Sequence, residues 1–238
     1  MRNQLFLAHR GYCGVSPENT ELAFDLAHQF GFDGVELDIH LTKDNQLVII
    51  HDETTKRTAE TNLKIQDSTL AQLRELNYAK CYNSRIPSQK IMTLEEFLDK
   101  YINVFKMINI EIKTDDIHYQ GIEELIHKLI QSKYKNHMNK LVFSSFNFKS
   151  LQIMYELDNK YILGFLYWRQ KDFNLVSKEE ILKICQFLHP SKKLYKKYKK
   201  EYQKLGLKFN LWTIKTKKSY DEFKDDEHVH SLISNYLY

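Results

Sequence analysis

The chain has 238 residues and a formal charge of +4, from 35 Lys and Arg against 31 Asp and Glu. That length suits one large α/β domain, and so mild an excess falls short of a nucleic-acid binder's footprint while suiting a small anionic substrate. Three cysteines (Cys13, Cys81, Cys185) without a CxxC pair argue against a disulfide framework or structural zinc, and no apolar stretch reaches the length of a signal peptide or a membrane span, so the chain is expected to start at Met1 and to be cytoplasmic.

In chain order, short apolar runs alternate with helical periodicity. Leu5–His9 reads as a strand. Thr20 fits an N-cap, Leu22, Ala23, Leu26, Ala27 and Phe30 follow at helical spacing, and Gly31 fits the stop. Gly34–Ile39 is the second strand. Lys43-Asp44-Asn45 marks a turn, and Leu47–Ile50 runs on as an extended arm ending at His51-Asp52. Residues 53–92 are polar, with helical hints at Leu70, Leu73 and Leu76, and read as an insertion rather than a separate domain. Thr93 and Glu96 form a capping box for a helix to about Tyr101. Strands are then predicted at Lys106–Ile112, Leu141–Ser145, Tyr161–Tyr167, Phe187–His189, Lys208–Ile214 and Val229–Ser234. Helices separate them, around Ile122–Ile130, Phe148–Leu157, Lys178–Cys185 and residues 192–205, with a last one capped by Ser219 and Glu222.

Leaving the arm aside, this gives eight strands separated by helices or helical insertions. Repeated βα alternation implies a parallel sheet, and eight units imply a closed (β/α)8 TIM-type barrel, here one domain over 1–238 with a small insertion at about 53–92. Chemistry in such barrels sits at the C-terminal ends of the strands. His9-Arg10-Gly11, Glu36-Leu37-Asp38 and Glu111-Ile112-Lys113 close three strands, and His51-Asp52 ends the arm.

Residues i and i+2 of a strand share a face, so Glu36 projects with Asp38, and Glu111 with Lys113. Three converging carboxylates make a hard oxygen site for one divalent cation, Mg²⁺ or Ca²⁺; without a cation their repulsion raises each other's pKa. Two histidines, His9 and His51, can move protons to and from a phosphodiester's nucleophile and leaving group. Arg10 and Lys113 can hold remaining phosphate charge.

The string AHRG, PENT, GVELDIHLTKDNQLVIIHDET resembles the glycerophosphodiester phosphodiesterase family, and DSTLAQLREL, IPSQKIMTLEEFL, NIEIK, VFSSFN and LWTI agree downstream in order. The resemblance covers most of the chain. It implies a TIM-type barrel with an insertion after the H-D motif, and metal-dependent hydrolysis of a glycerophosphodiester to sn-glycerol 3-phosphate and an alcohol such as choline, ethanolamine or glycerol. By motif it assigns His9 and His51 as the acid/base pair, with His9 as base and His51 as acid. Glu36, Asp38 and Glu111 become metal ligands, Arg10 and Lys113 phosphate contacts, and Trp212 a wall of the substrate pocket. Glu18, Asn19 and Thr20 match a loop element beside the site. The C-terminal HVHSLISNYLY departs from the family pattern, with Asn235 where an Asp is common.

Duller readings attach to the rest. His40 follows the E-x-D face and suits a supporting role. His28, His118, His127 and His137 read as surface residues, and Cys13 as packing. The lysine-rich run SKKLYKKYKKEYQKLG places Leu194, Tyr195, Tyr198, Tyr202 and Leu205 on one helical face, so its lysines read as a solvated outer face that allows weak contact with an anionic membrane surface. Two rival functions remain, a phospholipase D-type lipid phosphodiesterase and a non-catalytic phosphoester-binding barrel. The intact two-histidine, three-carboxylate set favours catalysis.

Overall fold

The computed structural model describes residues 4–83 and 85–238. Met1 to Asn3 and Ser84, which fall within the expected domain and insertion, lie outside the described residues.

Among the described residues, nine strands and ten α-helices follow in chain order. They are β1 (Leu5–His9), α1 (Glu21–Gln29), β2 (Gly34–Leu41), β3 (Leu47–Ile49), α2 (Lys56–Ala59), α3 (Leu70–Arg74), α4 (Leu94–Tyr101), β4 (Met107–Ile112), α5 (Ile122–Leu129) and β5 (Leu141–Ser145). The second half carries α6 (Phe148–Leu157), β6 (Ile162–Tyr167), α7 (Gln170–Phe173), α8 (Lys178–Ile184), β7 (Phe187–Pro190), α9 (Lys192–Gln203), β8 (Lys208–Ile214), α10 (Lys217–Phe223) and β9 (Val229–Ser234). Eight strands pair in parallel in the order β1-β9-β8-β7-β6-β5-β4-β2, and β1 pairs with β2 to close the ring. The arm β3 runs antiparallel to β2 on the outside of this register. The structure is thus the closed parallel barrel expected from the alternation.

Strand pleat sorts the side chains. Outward-facing Phe6, Val35, Leu37, Ile108, Ile110, Phe143, Leu163 and Leu211 pack under the helices in one continuous core. Inside the barrel a lower layer of Leu7, Met107, Val142 and Ile233 is apolar. On the same inward faces stand Asn109, Ser144, His189, Asn210 and Ser231, bonded in two groups: Asn109 donates to Ser144, while Asn210 contacts His189 at 2.8 Å and accepts from Ser231. His189 fits because β6 carries Gly164 beside it, where a Cβ would stand 2.2 Å from its Nε2. Higher still the inward positions become charged.

The helices start where the side chains cap them. Thr20 accepts from Ala23 N at the head of α1, and Thr93 with Glu96 forms the expected box on α4. Three local readings need correction. The last helix is capped by Thr216, not by a Ser219–Glu222 box; Ser219 N donates to Thr216, and Glu222 pairs with Lys196. The short helix α7 was not foreseen, and α5 continues through π and 3-10 turns to Lys140. On α9, Tyr195 and Tyr202 are buried, while Lys196 and Lys199 reach out to Glu222 and Asp226.

Residues 50–93 run between the arm and α4. They hold α2, a 3-10 turn and α3 around a small second core of Ile50, Ala59, Ile65, Leu73, Tyr78 and Ile91. Leu76 falls beyond α3, and no described helix is long and apolar enough to cross a membrane.

Candidate active site

The charged layer forms because strands end in register. His9 of β1 lies opposite Glu36 of β2, and Asp38 of β2 opposite Glu111 of β4. After His9 the chain turns through Arg10 (φ 56) and Gly11 (φ 71), both in the left-handed region. Glycine is required at the second, since a Cβ there would stand 2.6 Å from Ala23 Cβ. The turn points Arg10 N at Glu36 Oε2, 3.0 Å away.

Glu36, Asp38 and Glu111 are buried and bring ligand oxygens within 4.8 Å of one another. Burial, then Asp38 and Glu111, push the Glu36 carboxyl well above its ordinary range. Burial also raises Glu111, against the opposing pull of Lys113. Burial acts on Asp38 in the same sense, but Arg10, His51 and Lys113 outweigh it and hold that carboxyl at about 2. Asp38 Oδ2 accepts from Asn19 at 2.9 Å, while its buried Oδ1 has no hydrogen-bond partner. Three close carboxylates, one with an orphaned oxygen and one with a strongly raised pKa, make an oxygen donor set whose mutual repulsion a cation would relieve. It fits a hard divalent ion.

Both predicted cations reach this cluster. Lys113 Nζ donates to Glu111 at 2.8 Å, and Arg10 lies 3.4 Å from Asp38 and donates to Glu18 at 3.0 Å. They therefore neutralise carboxylates as well as line the cavity. Of the E-N-T element, Glu18 and Asn19 support Arg10 and Asp38, and Thr20 caps α1.

The two histidines stand in different settings. His9 Nδ1 lies 2.8 Å from Asn235 Oδ1, which makes Nδ1 the protonated nitrogen and leaves Nε2 free, 3.9 Å from Glu36. Burial and then the Arg10 charge lower its pKa to about 3. His51 Nδ1 donates to Asp52 at 2.6 Å. The buried ring of His40 contacts the His51 carbonyl at 3.0 Å and Tyr119 Oη at 2.8 Å, so it fixes the backbone on which His51 stands.

A cavity of about 470 Å³ opens onto these groups, lined by His9, Arg10, Glu36, His51, Glu111 and Lys113 and by the rings of Phe146, Trp168 and Trp212. The rings form one wall: Phe146 stacks on Trp168 at 5.4 Å, and Trp212 meets Trp168 edge-on at 4.6 Å. Trp212 is fixed by its Nε1 donating to His189 O at 2.7 Å, and Trp168 is 61% exposed. Cys13 also lines the cavity, but burial and the Glu18 charge push its thiol up to about 12, which agrees with packing rather than nucleophilic chemistry.

All eight predicted site residues thus surround one space, except that Asp38 lies just behind its lining. The family model described as "Glycerophosphoryl diester phosphodiesterase family" matches residues 9–237. The chain belongs to that family. It is accordingly a phosphoric diester hydrolase. Among relatives, "Uncharacterized protein MG293" of Mycoplasma genitalium is 51% identical over 232 residues, covering 98% of this chain and 95% of that one. A glycerophosphodiester phosphodiesterase of Caldanaerobacter subterraneus subsp. tengcongensis is 38% identical over 163 residues, 68% of this chain and 66% of its own. An Oleispira antarctica phosphodiesterase, solved in complex with the product sn-glycerol-3-phosphate, superposes with a TM-score of 0.83 at 26% identity, over 98% of this chain and 93% of that one.

Five residues with evident contacts here escaped the sequence reading of the site. Asp52 could have been found from its adjacency to His51, and Asn235 stood out as a departure without a role. Phe146 and Trp168 follow strand ends, the signal that located the carboxylates. Arg57, which bonds Asp52, carries no spacing signal at all.

Proposed function

We propose that the protein hydrolyses glycerophosphodiesters to sn-glycerol 3-phosphate and an alcohol, in the cytoplasm, as one barrel domain over 1–238 with an insertion at about 53–92. The observation that carries this reading is the convergence of two histidines and three buried carboxylates on one cavity. Glu36, Asp38 and Glu111 would hold one divalent cation, Mg²⁺ or Ca²⁺. Such an ion, when bound, neutralises phosphoryl oxygens and orients the diester.

Arg10 and Lys113 take up phosphate charge beside it. His9 is the base. Its neutral ring, held by Asn235, offers Nε2 to the proton of the attacking hydroxyl, whether water or the substrate's own glycerol hydroxyl; in the second case a cyclic phosphate forms as the alcohol leaves, and water then opens it to glycerol 3-phosphate. His51 is the acid. Its Nδ1–H is held by Asp52, and its other nitrogen delivers a proton to the departing alkoxide. The Phe146–Trp168–Trp212 wall faces the alcohol.

The test is the products formed from glycerophosphocholine, followed by phosphorus NMR, for the intact protein, His9→Ala and His51→Ala. Glycerol 3-phosphate from the intact protein alone supports the reading. Turnover only of lipid diesters would favour the phospholipase D-type reading, and binding without turnover a non-catalytic barrel.

A further inference from the structure

Arg57 on α2 takes no part in the chemistry above, yet it is bonded on every side to groups that do. Its Nε and Nη2 donate to the two oxygens of Asp52 at 2.6 and 3.0 Å. Its Nη1 and Nη2 donate to the two oxygens of Glu18, each at 2.7 Å. Both carboxylates have a second partner inside the site: Asp52 accepts from His51 Nδ1 at 2.6 Å, and Glu18 accepts from Arg10 Nη1 at 3.0 Å. One guanidinium therefore closes the chain His51–Asp52–Arg57–Glu18–Arg10.

Only a planar fork can serve two carboxylates in this way; an ammonium offers a single point of charge. The turn that carries it is anchored. Thr55 is buried and its hydroxyl donates to Thr61 O, Leu63 N donates back to Thr55 Oγ1 at 3.1 Å, and Ala59 packs in the second core. Burial alone would raise the Asp52 carboxyl, but the bonds from His51 and Arg57 outweigh it and hold it below the ordinary range, so it remains an acceptor.

We propose that Arg57 is a positioning residue for the reaction: it orients His51 through Asp52, and Arg10 through Glu18, from outside the reacting atoms. This gives residues 50–93 a role in catalysis, and it rests on the two-histidine reading above.

The test is a double-mutant cycle with Arg57→Gln and Asp52→Asn. A small misplacement of an acid/base group costs about 10–100-fold in rate. Arg57→Gln is therefore expected to lower kcat on glycerophosphocholine by about 30-fold in the intact background, but by only about threefold in Asp52→Asn, where the link to His51 is already cut and only the link through Glu18 to Arg10 remains. Arg57→Lys, which keeps the charge and loses the fork, should recover only a small part. Equal losses in both backgrounds, full recovery by Lys, or lower stability with kcat unchanged would each overturn the proposal. A second readout needs no turnover. The ring-nitrogen NMR signals of His51, assigned with His51→Gln and recorded at a pH high enough for the ring to be neutral, should show one Nδ1–H tautomer in the intact protein and a tautomer mixture in Arg57→Gln; an unchanged spectrum overturns the proposal. If the intact protein releases no glycerol 3-phosphate, the functional reading fails, and the spectrum still decides what Arg57 does to His51.

Discussion

Glu36→Gln is expected to stabilise the metal-free protein and to remove its stabilisation by a divalent cation. Ligand oxygens of Glu36, Asp38 and Glu111 lie within 4.8 Å of one another. Two unit charges at that separation repel by about 3.5 kcal/mol at an effective dielectric constant of ~20. Arg10 and Lys113 offset part of this at Asp38 and Glu111 through direct ion pairs, whereas Glu36 accepts from the Arg10 backbone N–H and has the neutral His9 ring 3.9 Å away. Its carboxyl pKa is raised, by burial first and then by its two neighbours. A carboxyl raised on folding makes the folded state hold more protons than the unfolded one. Metal-free stability therefore falls as pH climbs from the ordinary glutamate value of ~4.3 towards the raised folded value. Gln keeps the shape and an oxygen for Arg10 N, without the charge. Removing about 1–2 kcal/mol of repulsion should raise Tm in EDTA near neutral pH by ~2–8 °C for a chain of this size. Mg²⁺ or Ca²⁺ at about 100 times Kd should add about 2.7 kcal/mol to the intact protein and much less to the variant. Thermal melts with and without cation measure both. A variant that melts lower than the intact protein in EDTA, and gains as much from the cation, would show that Glu36 neither repels its neighbours nor binds the ion.

His9→Ala and His51→Ala should each lower kcat on glycerophosphocholine by about 10²–10⁴-fold; with a p-nitrophenyl ester, whose leaving group departs without a proton, only His9→Ala should remain severely impaired. Trp168→Ala should change stability by no more than about 0.5 kcal/mol, the side chain being largely exposed, while steady-state kinetics show KM for glycerophosphocholine rising by about tenfold. His40→Phe removes the partner of the His51 carbonyl and of Tyr119 Oη; urea unfolding should show a loss of about 1–3 kcal/mol, accompanied by a lower kcat.

The barrel and its charged end were legible because strand pleat is a rigid rule. Once Gly34–Ile39 is a strand, Glu36 and Asp38 must share a face, and Leu37 must take the other. The His9-Arg10-Gly11 turn was legible for a similar reason, the glycine marking a conformation that other residues resist. The supporting contacts were not legible. Asn235 meets His9 across 226 residues of sequence, and Arg57 reaches Glu18 across 39. Such pairs are set by barrel closure and by the path of residues 50–93, which no local spacing encodes. The Ser219–Glu222 box misread a local signal: Thr216 is free to cap three residues earlier, and Glu222 finds Lys196 on the neighbouring helix.

The proposed mechanism requires that Glu36, Asp38 and Glu111 hold a cation that serves glycerophosphodiester hydrolysis. The direct measurement is glycerol 3-phosphate release from glycerophosphocholine by metal-stripped protein as Mg²⁺ or Ca²⁺ is restored, beside Glu36→Ala. No release is expected from the stripped protein, with saturable recovery in the intact chain and none in the variant. Release that survives stripping, or that persists in Glu36→Ala, would contradict the mechanism.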